Sequence, residues 1–238
     1  MKEQIYLDER SSDEFMKYHV RTRTRKPDYI YQLVRSITTM VLLPLNRVTA
    51  IDPQNIPANG AAIFVPNHFS FADHFYIGIY TRRKLQFMAK SQLFAGGLMT
   101  YIFTHGGVFP VMRGKNDEEA FETSQAILAR GGVVQLYAEG GRSRSDRPAE
   151  KAKRGPGKLA LESGVPVVPV AVYGSQYMRN IKKGHVPKVI VKYGKPMQFE
   201  QTDNPSTEQQ LAAAQMIYDR VLVMYGEIEA EYGKQRAS

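Results

Sequence analysis

"AAIFVPNHFSFADHF", Ala61–Phe75, passes from an apolar run through a polar break into a helical pattern, and its reading decides the fold. Ala61–Pro66 is short and continuously apolar, as a buried strand is. Ser70 to Arg82 then reads as a helix. Ser70 and Asp73 have the spacing of a capping box, with a hydroxyl at the N-cap and an acid three residues on. The same change of period recurs along the chain. "LQFMAK" (85–90) reads as a strand before a helix over Gln92–Thr104. "GVFPVM" (107–112) reads as a strand before a helix over Asp117–Arg130, opened by Asn116. "GVVQLYAE" (132–139), "VPVVPVAVYG" (165–174) and "KVIVKYG" (188–194) read as three more strands, and Ser206–Glu231 as a long final helix. Alternating strands and helices predict an α/β domain with a mixed, largely parallel sheet flanked by helices. Pro166 and Pro169 interrupt the most apolar run and point to a strand end or edge.

Upstream, "PQNIPANG" (53–60) is a cluster of turn residues and marks a boundary. Residues 53–238 are expected to form the α/β domain, and residues 1–52 an N-terminal amphipathic helical pair. One helix would carry Phe15, Met16, His19 and Val20 on a face. The other would carry Ile30, Leu33, Val34, Ile37 and Val41, with Asp28 as N-cap and Pro44 near its end. Two readings stand for this pair: it lies at a membrane interface, or it packs on the domain.

The 238 residues contain no cysteine, so disulfides and thiolate metal sites are excluded. No apolar run approaches the roughly 18–20 residues of a spanning helix, and the polar segment Met1–Glu14 does not read as a signal peptide. A net charge of +9 calls for an anionic partner: nucleic acid, an anionic membrane surface or a phosphorylated substrate. Two stretches, His74–Asn116 and Arg179–Phe199, each hold six Lys or Arg and no acid.

In open α/β sheets ligands gather beyond the carboxyl ends of the strands. The chemically useful residues of this chain fall there. His68 follows the first strand, Lys90 ends the next, Arg113 follows the third, and "EGGRSRS" (139–145) follows the fourth. An aspartate bonded to one imidazole nitrogen holds the tautomer and leaves the other nitrogen as a base. Spacing alone leaves Asp73 open between that role and the helix cap. No Gly-x-Ser-x-Gly elbow and no cysteine supply a nucleophile, so a base at His68 would act on a substrate hydroxyl or water. Gly140 and Gly141 expose backbone N–H groups to an anion, Arg142 adds a forked donor and Ser143 a hydroxyl. The five histidines are scattered, and no metal site is expected.

Taken in order, these blocks resemble the bacterial 1-acylglycerol-3-phosphate acyltransferases of the glycerolipid acyltransferase family. Asn67, His68, Ser70 and Asp73 match an Asn-His-x-Ser-x-x-Asp block. "GGVFPVMR" (106–113) is similar to a second block ending in Arg113. Glu139, Gly140, Arg142 and Ser143 match Glu-Gly-Thr-Arg-Ser, with Gly141 in place of the Thr. Val165, Pro166 and Pro169 match Val-Pro-x-x-Pro. The resemblance implies the glycerolipid acyltransferase fold, with His68 as general base and Asp73 as its partner. It implies substrate contacts from Lys90, Arg113, Glu139, Gly140, Arg142, Ser143 and Pro166, and no cofactor. The implied donor is acyl-CoA or acyl carrier protein, and the implied acceptor is lysophosphatidic acid. Glycerol 3-phosphate or another lysolipid is the nearest alternative acceptor. The expected place is the cytoplasmic face of the membrane, peripheral or monotopic, with Arg21, Arg23, Arg25, Lys26 and Arg35 against anionic headgroups. A nucleic-acid partner is not expected, since the basic residues sit at strand ends rather than beside stacking aromatics. A lipid-binding scaffold without turnover is the other non-enzymatic reading.

Overall fold

The computed structural model describes residues 8–112 and 118–233. Seven strands form one sheet: β1 (Thr49–Ile51), β2 (Ala62–Pro66), β3 (Leu85–Lys90), β4 (Val108–Val111), β5 (Val133–Gln135), β6 (Val167–Tyr173) and β7 (Ile190–Tyr193). The spatial order is β1-β7-β6-β2-β5-β3-β4. Every pairing is parallel except β6 with β7. The helices are α1 (Asp13–Thr24), α2 (Tyr29–Leu45), α3 (Asp73–Tyr80), α4 (Gly97–His105), α5 (Glu118–Ala129), α6 (Gly155–Ser163) and α7 (Thr207–Tyr232).

The pleat sorts alternate residues of β2 to opposite layers. Ile63 and Val65 pack with Ile127, Leu159, Ile217 and Val221 of α5, α6 and α7. Ala62 and Phe64 pack with Tyr76 and Ile77 of α3. Burial on both faces is why the central strands read as continuous apolar runs. Helix α7 starts with a full capping box: Gln209 N donates to Ser206 Oγ (3.2 Å), and Ser206 N donates to Gln209 Oε1 (2.7 Å).

Three expectations need adjustment, and a fourth is met. The helix after β3 is split into a 3₁₀ turn at Ser91–Leu93 and α4, because the chain bends through Gly96 and Gly97 with φ of 88° and 70°. Helix α3 starts at Asp73 rather than Ser70. Pro169 is not at an edge but inside β6, which lies between β7 and β2. It is tolerated because the chain bulges just after β7. Met197 pairs with Val167 and Tyr193 with Val170, so three residues on one strand oppose two on the other. Pro169 still joins the pairing through its carbonyl, which accepts from Gly194 N (2.8 Å), and its ring lies against Gly194, where a Cβ would come within 2.7 Å of its Cγ. The helix expected over Asp117–Arg130 is α5, and its proposed opener Asn116 lies outside the described residues.

The two N-terminal helices differ. Helix α1 buries Phe15, His19 and Thr22 against α5 and β4. His19 Nδ1 lies 2.9 Å from Thr123 Oγ1, Arg23 pairs with Glu119 and Glu122, and Arg21 pairs with Asp28 at 3.0 Å. These two arginines are engaged within the chain, whereas Arg25 and Lys26 are exposed. Helix α2, capped by Asp28 accepting from Ile30 N, buries only Ile30 and exposes Leu33, Ile37, Met40 and Val41. Met40 is 78% exposed. Strand β1 lies before the boundary expected at Pro53, so the sheet begins within residues 1–52.

Candidate active site

Register sets the floor of the site. Phe64, Gln135 and Phe87 are level across β2, β5 and β3, and Lys90 is level with Val111 of β4. Three residues further on lie Asn67 and Ala138, past the ends of β2 and β5, and Lys90, the last residue of β3. His68, Glu139 and Lys90 thus emerge at one end, as expected for parallel strands. Pro166 does not. Its carbonyl accepts from Ile63 N (3.0 Å) at the opposite end of β2. Six residues at about 3.3 Å each separate that level from His68, or roughly 15–20 Å. Arg113 lies outside the described residues.

The peptide of His68 is held on both sides. Asn67 is fully buried, and its side chain continues the β2–β6 ladder. Its Nδ2 donates to Val172 O (2.9 Å), and Val172 N donates to its Oδ1 (2.7 Å). His68 N donates to Glu139 Oε1 (2.7 Å), and Ser143 N donates to His68 O (2.7 Å). The backbone after β5 therefore clamps the residue that follows β2.

The imidazole is 12% exposed, and its Nδ1 lies 2.9 Å from Asp73 Oδ2. A carboxylate only accepts, so Nδ1 carries the proton and Nε2 keeps its lone pair. The same Asp73 oxygen also accepts from Phe69 N (2.7 Å) and Ser70 N (2.8 Å). The capping box is thus half realised. The acid reaches back to Ser70 N, but the Ser70 hydroxyl accepts from Ala72 N (3.2 Å) rather than from Asp73 N. One oxygen serves the turn and the imidazole together, which is why the chain stays in a turn until Asp73. On the other face of the ring, Tyr137 stacks at 3.7 Å between centroids with 18° between planes.

The remaining candidates divide. Burial pushes the Glu139 carboxyl up to about 7. Its oxygens face this chain, on His68 N and, at 3.4 Å, on Ala149 N. Glu139 therefore supports the His68 loop directly, which the sequence resemblance had assigned only to the acceptor. Gly140 makes the tight turn, its N–H donating to Tyr137 O (3.2 Å). The Ser143 hydroxyl bonds within its own loop, to Arg147 O (2.8 Å) and Ser145 Oγ (3.0 Å). Arg142 is exposed and has no hydrogen-bond or ion-pair partner among the described residues. Lys90 is half-buried at the end of β3. The neighbouring His74 is enclosed by Phe75, Phe87 and Phe71, and that enclosure drives its imidazole down to about 3. It is neutral at pH 7 and is not a second acid.

Part of the basic middle of the chain is structural. Arg83 donates to Gly131 O (2.6 Å) and Lys84 to Pro27 O (2.6 Å), both at the end of the sheet away from His68. Tyr137 is the contributor that the sequence did not single out; Asn67 was matched to the His68 block but without a role.

A family model described as Acyltransferase matches residues 47–173, just over half of the chain and all of the site above. The chain belongs to this acyltransferase family. Among curated relatives, the chloroplastic 1-acyl-sn-glycerol-3-phosphate acyltransferase of Arabidopsis thaliana is 26% identical over 150 residues, covering 62% of this chain and 41% of that protein. A chloroplastic enzyme of the same name from Brassica napus is 25% identical over 158 residues, covering 65% and 44%. One from Chlamydomonas reinhardtii is 29% identical over 136 residues, covering 56% and 40%. The chain thus spans less than half the length of these relatives. The crystal structure of the 1-acyl-sn-glycerophosphate acyltransferase PlsC from Thermotoga maritima superposes with a TM-score of 0.63 at 20% identity, covering 92% of this chain and 98% of that one. That similarity establishes the shared acyltransferase fold.

Proposed function

We propose that this acyltransferase-family chain moves an acyl group from a thioester, acyl-CoA or acyl carrier protein, to the free hydroxyl of 1-acyl-glycerol 3-phosphate, giving phosphatidic acid. The observation that carries the reading is the His68 Nδ1–Asp73 Oδ2 contact of 2.9 Å at the shared strand ends. The names of the curated relatives support the choice of acceptor. In this reaction His68 Nε2 takes the hydroxyl proton as the oxygen attacks the thioester carbonyl carbon. Asp73 stabilises the imidazolium that forms. The tetrahedral intermediate collapses, the C–S bond breaks, and the imidazolium returns its proton to the leaving sulfur. The products are an ester and a thiol, and no protein nucleophile takes part. Arg142, exposed and without a hydrogen-bond or ion-pair partner among the described residues, is suited to the acceptor phosphate.

The test is thiol release by the purified chain across a panel of donors and acceptors. Lysophosphatidic acid should be turned over, with His68→Ala abolishing release while the circular dichroism spectrum is kept. Turnover by His68→Ala would overturn the base assignment. Turnover of glycerol 3-phosphate in preference to lysophosphatidic acid would move the function to that acceptor.

The lipid acceptor requires access to a bilayer. No helix among the described residues is long and apolar enough to cross a membrane. We place the chain peripherally on the cytoplasmic membrane face, docked through the exposed apolar residues of α2 with Leu98 (75% exposed) and Met99 (55%) of α4.

A further inference from the structure

The hydrogen bond to Asp73 holds the imidazole of His68 at one atom only. Bonded to Cβ and tethered at Nδ1, the ring can still tilt through small changes of its side-chain torsions, and the tilt moves Nε2, the atom that must meet the acceptor hydroxyl. The contact that limits the tilt is the Tyr137 ring, stacked at 3.7 Å and 18°. Tyr137 is itself anchored at both ends. Its backbone follows β5 directly, and its carbonyl accepts from Gly140 N. Its hydroxyl accepts from Nε2 of the buried Gln135 at 2.8 Å, one strand repeat back on the same face.

We propose that Tyr137 is a positioning residue for the base: its flat face fixes the plane of the His68 imidazole and so aims Nε2. The inference rests on the proposed role of His68. The ring, rather than the hydroxyl, is the operative part: the ring stacks on His68, whereas the hydroxyl is bonded to Gln135. Base catalysis is steep in geometry, so a freed ring should cost turnover more than substrate binding.

The experiment compares Tyr137→Phe, Tyr137→Leu and Tyr137→Met in the full chain, with His68→Ala beside them. Steady-state thiol release and thermal melting are measured for each. Tyr137→Met fills the slot with an unbranched side chain and tests the idea if Tyr137→Leu fails to fold. The expected result is a ten- to hundredfold fall in kcat for the Leu or Met variant, with KM for donor and acceptor within about twofold. Tyr137→Phe should keep kcat within about threefold. Turnover by the Leu or Met variant equal to the parent would overturn the proposal if His68→Ala is inactive. An active His68→Ala would instead overturn the base reading on which it rests. A Phe variant as impaired as the Leu variant would also overturn it, since the hydroxyl would then be responsible. So would parallel losses in kcat, KM and melting temperature, which mark a merely structural residue.

Discussion

Asp73 is the residue at which folding and chemistry are most directly joined. It is completely buried, and its Oδ2 accepts three hydrogen bonds, from His68 Nδ1, Phe69 N and Ser70 N. Asp73→Ala removes the acceptor and leaves two backbone N–H groups of the turn without a partner. An unsatisfied buried donor costs about 1–3 kcal/mol, so the variant should lose roughly 3–5 kcal/mol of stability. Asp73→Asn keeps an acceptor oxygen of the same shape and should lose only about 1–2 kcal/mol, the difference between charged and neutral hydrogen bonds. Catalysis should separate from stability at this second variant. A unit negative charge about 4 Å from an imidazolium is worth about 4 kcal/mol at an effective dielectric constant near 20. At about 1.4 kcal/mol per tenfold, kcat of Asp73→Asn should fall a hundred- to a thousandfold. Urea unfolding measures the first quantity and thiol release the second. The chain has no cysteine, so it adds no thiol background to a disulfide-exchange readout. Asp73→Asn turning over within about fivefold of the parent would refute the electrostatic role, and Asp73→Ala losing under about 1 kcal/mol would refute the structural one.

Glu139 predicts a pH dependence of opposite sign to that of an ordinary paired carboxylate. Burial raises its folded carboxyl to about 7, above the ordinary unfolded range, so the native state holds the proton more tightly and stability falls as pH rises from about 4.5 through 7. Parent stability relative to Glu139→Gln should therefore drop by about 2–3 kcal/mol across that window in urea titrations, and parallel pH profiles would exclude a buried, strained carboxylate. For α2, Ile37→Asp combined with Met40→Asp should abolish co-sedimentation with anionic vesicles while leaving the melting temperature within a few degrees; unchanged sedimentation would remove α2 from the docking face. In α6, a Cβ at Gly157 would lie 1.9 Å from Gln210 O and 2.6 Å from Ala214 N of α7. Gly157→Ala should thus force the two helices apart and cost about 3 kcal/mol in thermal unfolding, and a melting temperature equal to the parent's would contradict this packing.

Much of the fold was legible because period and burial are written locally. Every expected strand from Ala62 to Tyr193 is present, since a strand covered on both faces must be apolar throughout, and such a run is visible without knowing its neighbours. The full capping box at Ser206 was equally local, since both partners lie within four residues. What misled was local information with a distant cause. Pro169 marked an edge by its own chemistry, but Gly194 on the neighbouring chain segment leaves room for its ring, since a Cβ there would come within 2.7 Å of Pro169 Cγ. The arginines of α1 read from their charge as a headgroup-binding row, and the fold adds partners for Arg23 in Glu119 and Glu122, about a hundred residues away.

The sequence by itself determined the alternation of strands and helices, and with it the end of the sheet where His68, Lys90 and Glu139 meet. It also brought His68 and Asp73 within reach, because only the four residues of one turn lie between them. Only the tertiary structure decided what each group does there. It split α1 from α2, one packed and one apolar and exposed. It turned Glu139 onto the backbone of His68, laid Tyr137 against the imidazole and set Pro166 at the far end of β2. The physical reason is that a side chain's type and spacing limit which bonds it can make, whereas its partner is set by strand order and register. Those arise from the packing of the whole sheet.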